Sequence, residues 1–329
     1  MSSDHHIGVV LDRVAADLWF VYNQLTPGAL TRVGPLLRDI YYDLDALSTA
    51  LLICLAVATL CHTISTLTRN QSVVDKLWSI LPVGYTWHFL WRSHLRDLQG
   101  QLVVDPRLVL IALLVTVWGS RLTFNFWRKG GYALHAEDYR WEVVRQGGSG
   151  VPVSILPVFN LFFVSFYQNI LLLLITLPVY AAWRHAGTPL NRIDALAFLL
   201  CSGFLALETA ADHQMWNFQV AKHAKAAAGK RLTGDYGRGF LTSGLFAYSR
   251  HPNFFAEQAF WASIYLFGVA ASGSCIHWSG LGVLQLIALF HFSTSLTEDI
   301  TARKYSKYKA YQASTSRLVP WVPGKPKWR

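Results

Sequence analysis

Long uninterrupted runs of apolar residues, not alternating apolar and polar positions, dominate this chain. Each of six runs is roughly long enough to cross a ~30 Å hydrocarbon layer as a helix. A seventh run, residues 77–91, is shorter and aromatic, and is a marginal span. The pattern therefore predicts an all-α, polytopic membrane protein with about seven transmembrane helices. The six longer runs are residues 44–66, 108–126, 155–183, 195–211, 254–271 and 276–296.

Composition supports this fold class and divides the chain in two. Of the 329 residues, 53% are hydrophobic and 15% are charged, whereas soluble domains have about 25% charged residues. Residues 1–43 lack a long apolar run, and residues 18–25 are too short for a clean signal peptide. We expect residues 1–43 to be a surface or interfacial segment. Residues 44–329 would form one membrane domain with a basic tail.

Positive charge is distributed unequally between the two sides of the predicted spans. The net charge is +10, and the loops on one side, with the tail, carry twenty Lys and Arg against eight on the other. The positive-inside rule then places the C-terminus in the cytosol. Because topology explains the basic charge and no reader motif accompanies it, we expect no nucleic-acid partner.

The four cysteines suggest neither a metal site nor a disulfide framework. None belongs to a C-x-x-C pair, and all lie in or at the end of apolar runs. We therefore expect no structural metal.

The stretch 244–257 places aromatic, basic and acidic side chains directly before an apolar run. Pro252 fits the first turn of a helix, where its missing N–H is not needed, and Asn253 and Glu257 would share one face. A helix N-terminus with positive side chains beside it suits a phosphate or carboxylate ligand. The alternative is a positively charged cytosolic flank. The residues just outside the turn are Tyr248, Arg250 and His251.

Other charged residues lie within or beside the apolar runs. Glu208 and Asp212 are four residues apart on one helix face, and intramembrane acids usually face a cavity, a partner or a ligand. Arg121 would lie one turn from the cytosolic edge, where it could instead snorkel or neutralise the acids. The tail forms a basic, tyrosine-rich amphipathic helix at the membrane face. Its candidate residues are Glu298, Lys304 and Tyr308.

These pieces together resemble the steroid 5α-reductase C-terminal-domain family. That family includes steroid reductases, sterol reductases, isoprenylcysteine carboxyl methyltransferases and an uncharacterised branch that this chain resembles most. The resemblance covers residues 75–320, and its specific part is the block 244–257. The other matching pieces, in family order, are Asp75 to Trp78, Arg121 to Asn125, Glu137 to Trp141, Glu208 to Gln214, and Glu298 to Pro320.

The resemblance implies an NADPH cavity that opens to the cytosol among the C-terminal helices. No G-x-G-x-x-G follows a strand, so this would not be a Rossmann site. Carboxylates and an amide would bind ribose hydroxyls or the carboxamide, and basic groups would bind phosphates. The implied cofactor-binding residues are Arg121, Glu208, Asp212, Tyr248, Arg250, His251, Asn253, Glu257, Glu298, Lys304 and Tyr308.

At the substrate end the chain departs from the steroid reductases, because its second span has no glutamate. Tyr85 and His88 are the obvious proton-handling groups there, and either could stabilise a developing enolate. An alternative for both is a place in an aromatic interfacial belt. The expected function is NADPH-dependent reduction of a C=C bond in a lipid-soluble substrate, in a membrane that family resemblance suggests is the endoplasmic reticulum.

Two other functions stay open at this point. The Arg250–Pro252 segment and Glu298 are shared with the methyltransferase branch, which would use S-adenosylmethionine to methylate a lipid or prenylated carboxylate. A non-catalytic protein that binds membrane lipids is the third possibility.

Overall fold

The computed structural model describes residues 7–24, 33–96, 104–148 and 151–324, and within them the protein is all-helical with no β-strand. This confirms the predicted fold class. An isolated parallel bridge joins Ser249 and Ser316. The α-helices are α1 (Ile7–Gln24), α2 (Val33–Asp43), α3 (Ala46–Thr68), α4 (Leu81–Arg96), α5 (Pro106–Arg128), α6 (Tyr139–Arg145), α7 (Leu156–Phe159), α8 (Gln168–Leu174), α9 (Leu177–Arg184), α10 (Arg192–Ala227), α11 (Gly234–Arg238), α12 (Pro252–Ser272), α13 (Leu281–Lys304) and α14 (Tyr308–Ser314).

Six helical segments of the described chain are long and apolar enough to cross a membrane. They match the six long apolar runs, and the protein is accordingly a multi-pass integral membrane protein. The marginal seventh span corresponds to α4, which has 16 residues, fewer than the ~20 that a hydrocarbon layer requires. The six segments are Ala46–Thr68, Pro106–Arg128, Val153–Arg184, Arg192–Ala227, Pro252–Ser272 and Trp278–Lys304.

The segment Val153–Arg184 is a series of short helices and not one continuous helix. A π-helix, Asn160–Tyr167, lies between α7 and α8, and the chain turns before α9 begins. Pro178 explains this turn, because a proline ring clashes with the carbonyl four residues earlier and cannot continue the helix. The predicted apolar span is present here, but it is not the single regular helix that was expected.

The N-terminal segment contains α1 and α2. Trp19 and Tyr22 of α1 are 65% and 67% exposed, as expected for a helix whose apolar side chains lie in a membrane interface. Asp17 anchors α1 to the start of α3, because its Oδ2 accepts hydrogen bonds from the Asp45 N–H (3.0 Å) and the Ser48 hydroxyl (2.7 Å). Residues 1–6 and 25–32 of the predicted segment lie outside the described residues.

The chain divides into two compact units, and each has its own core. The first unit comprises Met1–Ala197 and Ile264–Leu284, and the second comprises Phe198–Ser263 and Gln285–Arg329. The second unit holds most of the predicted site residues. Its buried clusters are Ala211, Phe218, Leu241 and Phe246, and Phe240, Tyr308 and Tyr311.

Candidate functional site

Two helices of the second unit pack side by side in opposite directions. Cys201 of α10 contacts the carbonyl oxygen of Phe260 (3.8 Å), and the Phe204 ring lies edge-on to Phe255 with centroids 5.8 Å apart. Farther along α10, Asp212 meets Asn253. Because residue numbers rise on α10 as they fall on α12, the two helices are antiparallel.

Buried carboxylates lie along this helix pair. Glu208, Asp212 and Glu257 are 4%, 6% and 4% exposed. The Asn253 amide donates to Asp212 Oδ1 (3.3 Å), and the Trp261 indole donates to Glu257 Oε1 (3.2 Å). Charged groups are costly to bury in apolar surroundings, so such a group of acids marks a candidate ligand site. We call these four residues, Glu208, Asp212, Asn253 and Glu257, the acidic cluster.

The start of α12 is shaped by a tight turn that contacts α10. Gly244 has φ +62°, and a Cβ there would lie 2.5 Å from Gln214 Oε1, so a larger residue would be strained and would displace the Gln214 side chain. The same Gln214 oxygen accepts a hydrogen bond from the Leu245 N–H (2.9 Å). A single 3₁₀ turn follows, and α12 then begins at Pro252 as predicted. This geometry brings the Asn253 amide within hydrogen-bonding distance of the Asp212 carboxylate.

Arg250 is engaged inside the protein. Its Nε and Nη2 donate to the two Glu298 oxygens (2.6 and 2.9 Å), and its Nη1 donates to the carbonyls of Gln312 (3.0 Å) and Thr315 (2.5 Å). A guanidinium has five N–H donors, so four of them are occupied. Arg250 therefore holds the C-terminal segment, and little of its donor capacity is left for a phosphate.

Glu298 receives further donors at the same carboxylate. The His251 Nε2 donates to Oε1 (2.9 Å), the Tyr308 hydroxyl approaches the same oxygen (3.4 Å), and the Gln312 amide donates to Oε2 (3.0 Å). With Arg250, these contacts saturate a carboxylate that is 6% exposed. We call Arg250, His251, Glu298, Tyr308 and Gln312 the Arg250 network.

Backbone contacts extend the attachment of the C-terminal segment. The Arg250 N–H donates to Ser316 O (2.8 Å), and the Trp321 N–H donates to the carbonyl of Tyr248 (2.9 Å). The Tyr248 side chain itself is 51% exposed. The Tyr311 hydroxyl donates to the carbonyl of Phe246. Burial raises the pKa of Tyr308 and of Tyr311 above the usual tyrosine range, so both hydroxyls stay protonated donors.

The basic stretch that follows the apolar run 195–211 is partly helical. It begins as a continuation of α10 to Ala227. Lys222 donates to the carbonyl of Gly239 (3.1 Å), and Lys225 lies 4.3 Å from the centroid of the Tyr236 ring. Lys304 is exposed at the end of α13, 5.5 Å from the Tyr305 ring. Each of these three lysines therefore has a neighbour within the second unit.

A partly buried acid, Asp235, organises the turn that follows α11. Burial on its own raises the pKa of Asp235, but the Thr242 hydroxyl (2.6 Å) and N–H (3.0 Å) and the guanidinium of Arg238 hold it below its usual value. The turn is therefore held by an ionised carboxylate.

Three predicted site residues lie in the first unit. Both His88 ring nitrogens have partners: Nε2 donates to Ala46 O (2.9 Å), and Nδ1 accepts from Tyr41 (3.2 Å). Tyr85 is 3% exposed, and its hydroxyl has no hydrogen-bonding partner among the described residues, although the Cys54 thiol lies nearby. Arg121 lies on α5. His88 thus has a structural role. The Tyr85 hydroxyl instead lies beside the Cys54 thiol.

Comparison with known proteins identifies the family. A family model described as protein of unknown function (DUF1295), which is the steroid 5α-reductase-like family, matches residues 61–315. The chain belongs to this family. It is a reductase- and methyltransferase-like membrane family. An uncharacterized protein of Schizosaccharomyces pombe is 38% identical over 294 residues, which cover 87% of this chain and 83% of the relative. No solved structure matches the chain.

The structure adds residues to the site of this DUF1295 member that the sequence did not single out. Gln312 lies one turn after Tyr308 on α14 and shares its face, and this spacing was the available signal. Trp261 likewise lies one turn after Glu257 on α12, so the same kind of signal was available. Gln214 ends the matching piece Glu208 to Gln214, but its bond to Leu245, 31 positions away, could not be predicted. No group of three or more His, Cys, Asp or Glu in the described residues is arranged to hold a metal ion.

Proposed function

We propose that the protein is a membrane-embedded, NADPH-dependent reductase of a C=C bond in a hydrophobic, lipid or steroid-like substrate. The acidic cluster carries this proposal. Three carboxylates that are at least 94% buried, with an amide bonded to one of them, lie on two apolar antiparallel helices. Membership of a reductase-like family supports the same reaction class.

The acidic cluster fits the part of NADPH that is rich in hydrogen-bond donors. Asp212, Glu208 and Glu257 would accept from ribose hydroxyls and the carboxamide, and Asn253 can both donate and accept. The phosphates need cations, and Lys225 and Lys304 are the candidates, since Arg250 is engaged with Glu298 and Lys222 with the Gly239 carbonyl. Arg250 would then support the site by holding α12 and the C-terminal segment.

When bound, NADPH supplies a hydride to one carbon of a conjugated double bond. The other carbon requires a proton, and Tyr85 is the donor that the sequence predicts. His88 is the weaker candidate because both its nitrogens are bonded. Tyr85→Phe should therefore abolish turnover and leave cofactor affinity unchanged. Weaker NADPH binding by this variant would contradict the assignment.

Titration of the purified, full-length protein with NADPH and, separately, with S-adenosylmethionine tests the cofactor. We expect NADPH to bind and Asp212→Asn or Glu257→Gln to weaken it at least tenfold, since a hydrogen bond to a charged group contributes about 1.5–3 kcal/mol. Asp299→Asn is the matched control, because Asp299 is exposed and adjacent to Glu298. Absence of NADPH binding by folded protein would refute the proposal.

A methyltransferase that uses S-adenosylmethionine is the second candidate, and one observation favours it. The acidic cluster contains three buried carboxylates, and carboxylates suit a positively charged ligand. The two cofactors differ in phosphate, so Lys225→Gln should weaken NADPH and leave S-adenosylmethionine unaffected. If neither cofactor binds, the protein is a non-catalytic lipid-binding protein.

We also propose that the C-terminus is cytosolic and that the membrane is the endoplasmic reticulum. The twenty-to-eight distribution of Lys and Arg supports this orientation. Cys275 is the exposed thiol, on the opposite side, while Cys54, Cys61 and Cys201 are buried. A membrane-impermeant maleimide should label Cys275 only after the vesicle lumen is opened. Labelling from the cytosolic face of sealed vesicles would reverse the topology.

A further inference from the structure

A cavity lies in the first unit, and no predicted site residue lines it. Its volume is about 540 Å³, within the range of small-molecule sites. It lies where α3 ends and the segment Val153–Arg184 begins. One wall is apolar, from Leu156, Pro157, Val158 and Leu161, and polar groups converge on it from Ser65, Arg69, Arg145 and Asn160.

Asn160 gives this cavity a buried donor. The residue is 8% exposed and opens the π-helix. Its Oδ1 accepts a hydrogen bond from the Ser65 hydroxyl (3.1 Å), whereas its Nδ2 makes no hydrogen bond with any described residue. The side chain is therefore ready to donate to an oxygen atom in the cavity.

Arg69 places a positive charge at the edge of the same cavity. It caps α3 in a left-handed conformation, with φ 55°, and its exposed side chain has no ion pair or hydrogen bond within the described part of the chain. The neighbouring Arg145 is committed, since it bonds Glu137 (2.6 Å) and Gln71 (2.6 Å). Arg69 is thus the cation that a ligand could engage without displacing a protein partner.

We propose that this cavity binds a single-chain anionic amphiphile, which is a molecule with an apolar chain and a terminal carboxylate or phosphate. Arg69 holds the anionic group, the Asn160 amide donates to an oxygen near it, and the apolar wall covers the chain. A neutral lipid would leave Arg69 unpaired, and a small soluble anion would leave the apolar wall bare. The assignment does not depend on which cofactor the acidic cluster binds.

Fluorescence titration of the full chain in nanodiscs of neutral phospholipid tests the proposal, with a polyene fatty acid as the probe. We expect saturable binding that oleate and oleoyl lysophosphatidate displace. If only the carboxylate or only the phosphate competes, that result identifies the head group. Arg69→Gln and Asn160→Leu should each weaken the probe about tenfold, as for loss of a charged or buried hydrogen bond. Arg69→Lys should recover most of the affinity.

A control variant separates this site from general attraction to the membrane. Arg303→Gln removes an exposed positive charge elsewhere. This variant should bind like the unaltered protein. The proposal fails if Arg303→Gln weakens the probe as much as Arg69→Gln does, or if oleoylglycerol or inorganic phosphate displaces it as well as oleate does.

Discussion

Two buried arginine–carboxylate pairs, one in each unit, are built in nearly the same way. Arg107 donates from Nε and Nη2 to Asp194 (2.7 and 2.8 Å) and to Thr188 and the Pro189 carbonyl. Arg250 likewise makes a two-pronged contact with Glu298 and donates to two carbonyls. In both pairs the guanidinium is largely saturated, which burial of a charge demands.

The difference lies in what else the carboxylate does. Asp194 also accepts from the Asn191 N–H (2.8 Å), so the first pair only fixes the turn before α10. Glu298 additionally accepts hydrogen bonds from His251, Tyr308 and Gln312. Asn253 of the acidic cluster follows His251 by only two residues. The first pair is an anchor for the fold. The second is an anchor on which the geometry of a candidate site depends.

The largest expected effect is at the first pair. Arg107→Met leaves the Asp194 carboxylate buried without its cation and should lower the free energy of unfolding by about 3–5 kcal/mol. Unfolding by sodium dodecyl sulfate, followed by circular dichroism, measures this change. Arg107→Met combined with Asp194→Leu should recover most of the loss, because an apolar pair fits an apolar site. A double variant as unstable as the single one would show that more than charge is involved.

This contrast also shows which features could be predicted from the sequence. The membrane-spanning segments could be predicted, because the length of an apolar run relates directly to the thickness of the hydrocarbon layer. The start of α12 could also be predicted, since a proline such as Pro252 is tolerated mainly in the first turn of a helix. The break before α9 was missed although Pro178 offered the same kind of signal.

Pairing of charges could not be predicted, because it depends on contacts between residues far apart in the chain. Arg107 and Asp194 are separated by 87 positions; Arg107 was counted only as a loop charge, and Asp194 was not considered. Arg250 looked like a phosphate ligand because its partner, 48 positions away, was not apparent. The cofactor-binding roles of the acidic cluster and the catalytic role of Tyr85 stay predictions.

A smaller effect, and a different pattern, is expected at the second pair. Arg250→Met combined with Glu298→Leu should not recover stability, since His251, Tyr308 and Gln312 all lose their acceptor. We expect the C-terminal segment to loosen by about 1.5–3 kcal/mol, which would accelerate tryptic cleavage between residues 304 and 317 at least tenfold. Arg250→Lys keeps the charge but not the two-pronged geometry and should fall in between. Full recovery by the double variant would make the two pairs equivalent.

The smallest effect is a pH dependence that the second pair has and the first lacks. Burial raises the pKa of Tyr308 and Tyr311 in the folded protein, whereas unfolded tyrosines ionise near pH 10. Their contribution to stability is therefore complete below about pH 10 and is lost as the pH rises further, by up to about 1.4 kcal/mol per unit for each group. Tryptic cleavage of the C-terminal segment should accelerate over that range. Tyr308→Phe with Tyr311→Phe should remove this acceleration, whereas the Arg107–Asp194 turn, held by Thr188 and Pro189, should not respond. An unchanged alkaline response in the tyrosine double variant would assign it to another group.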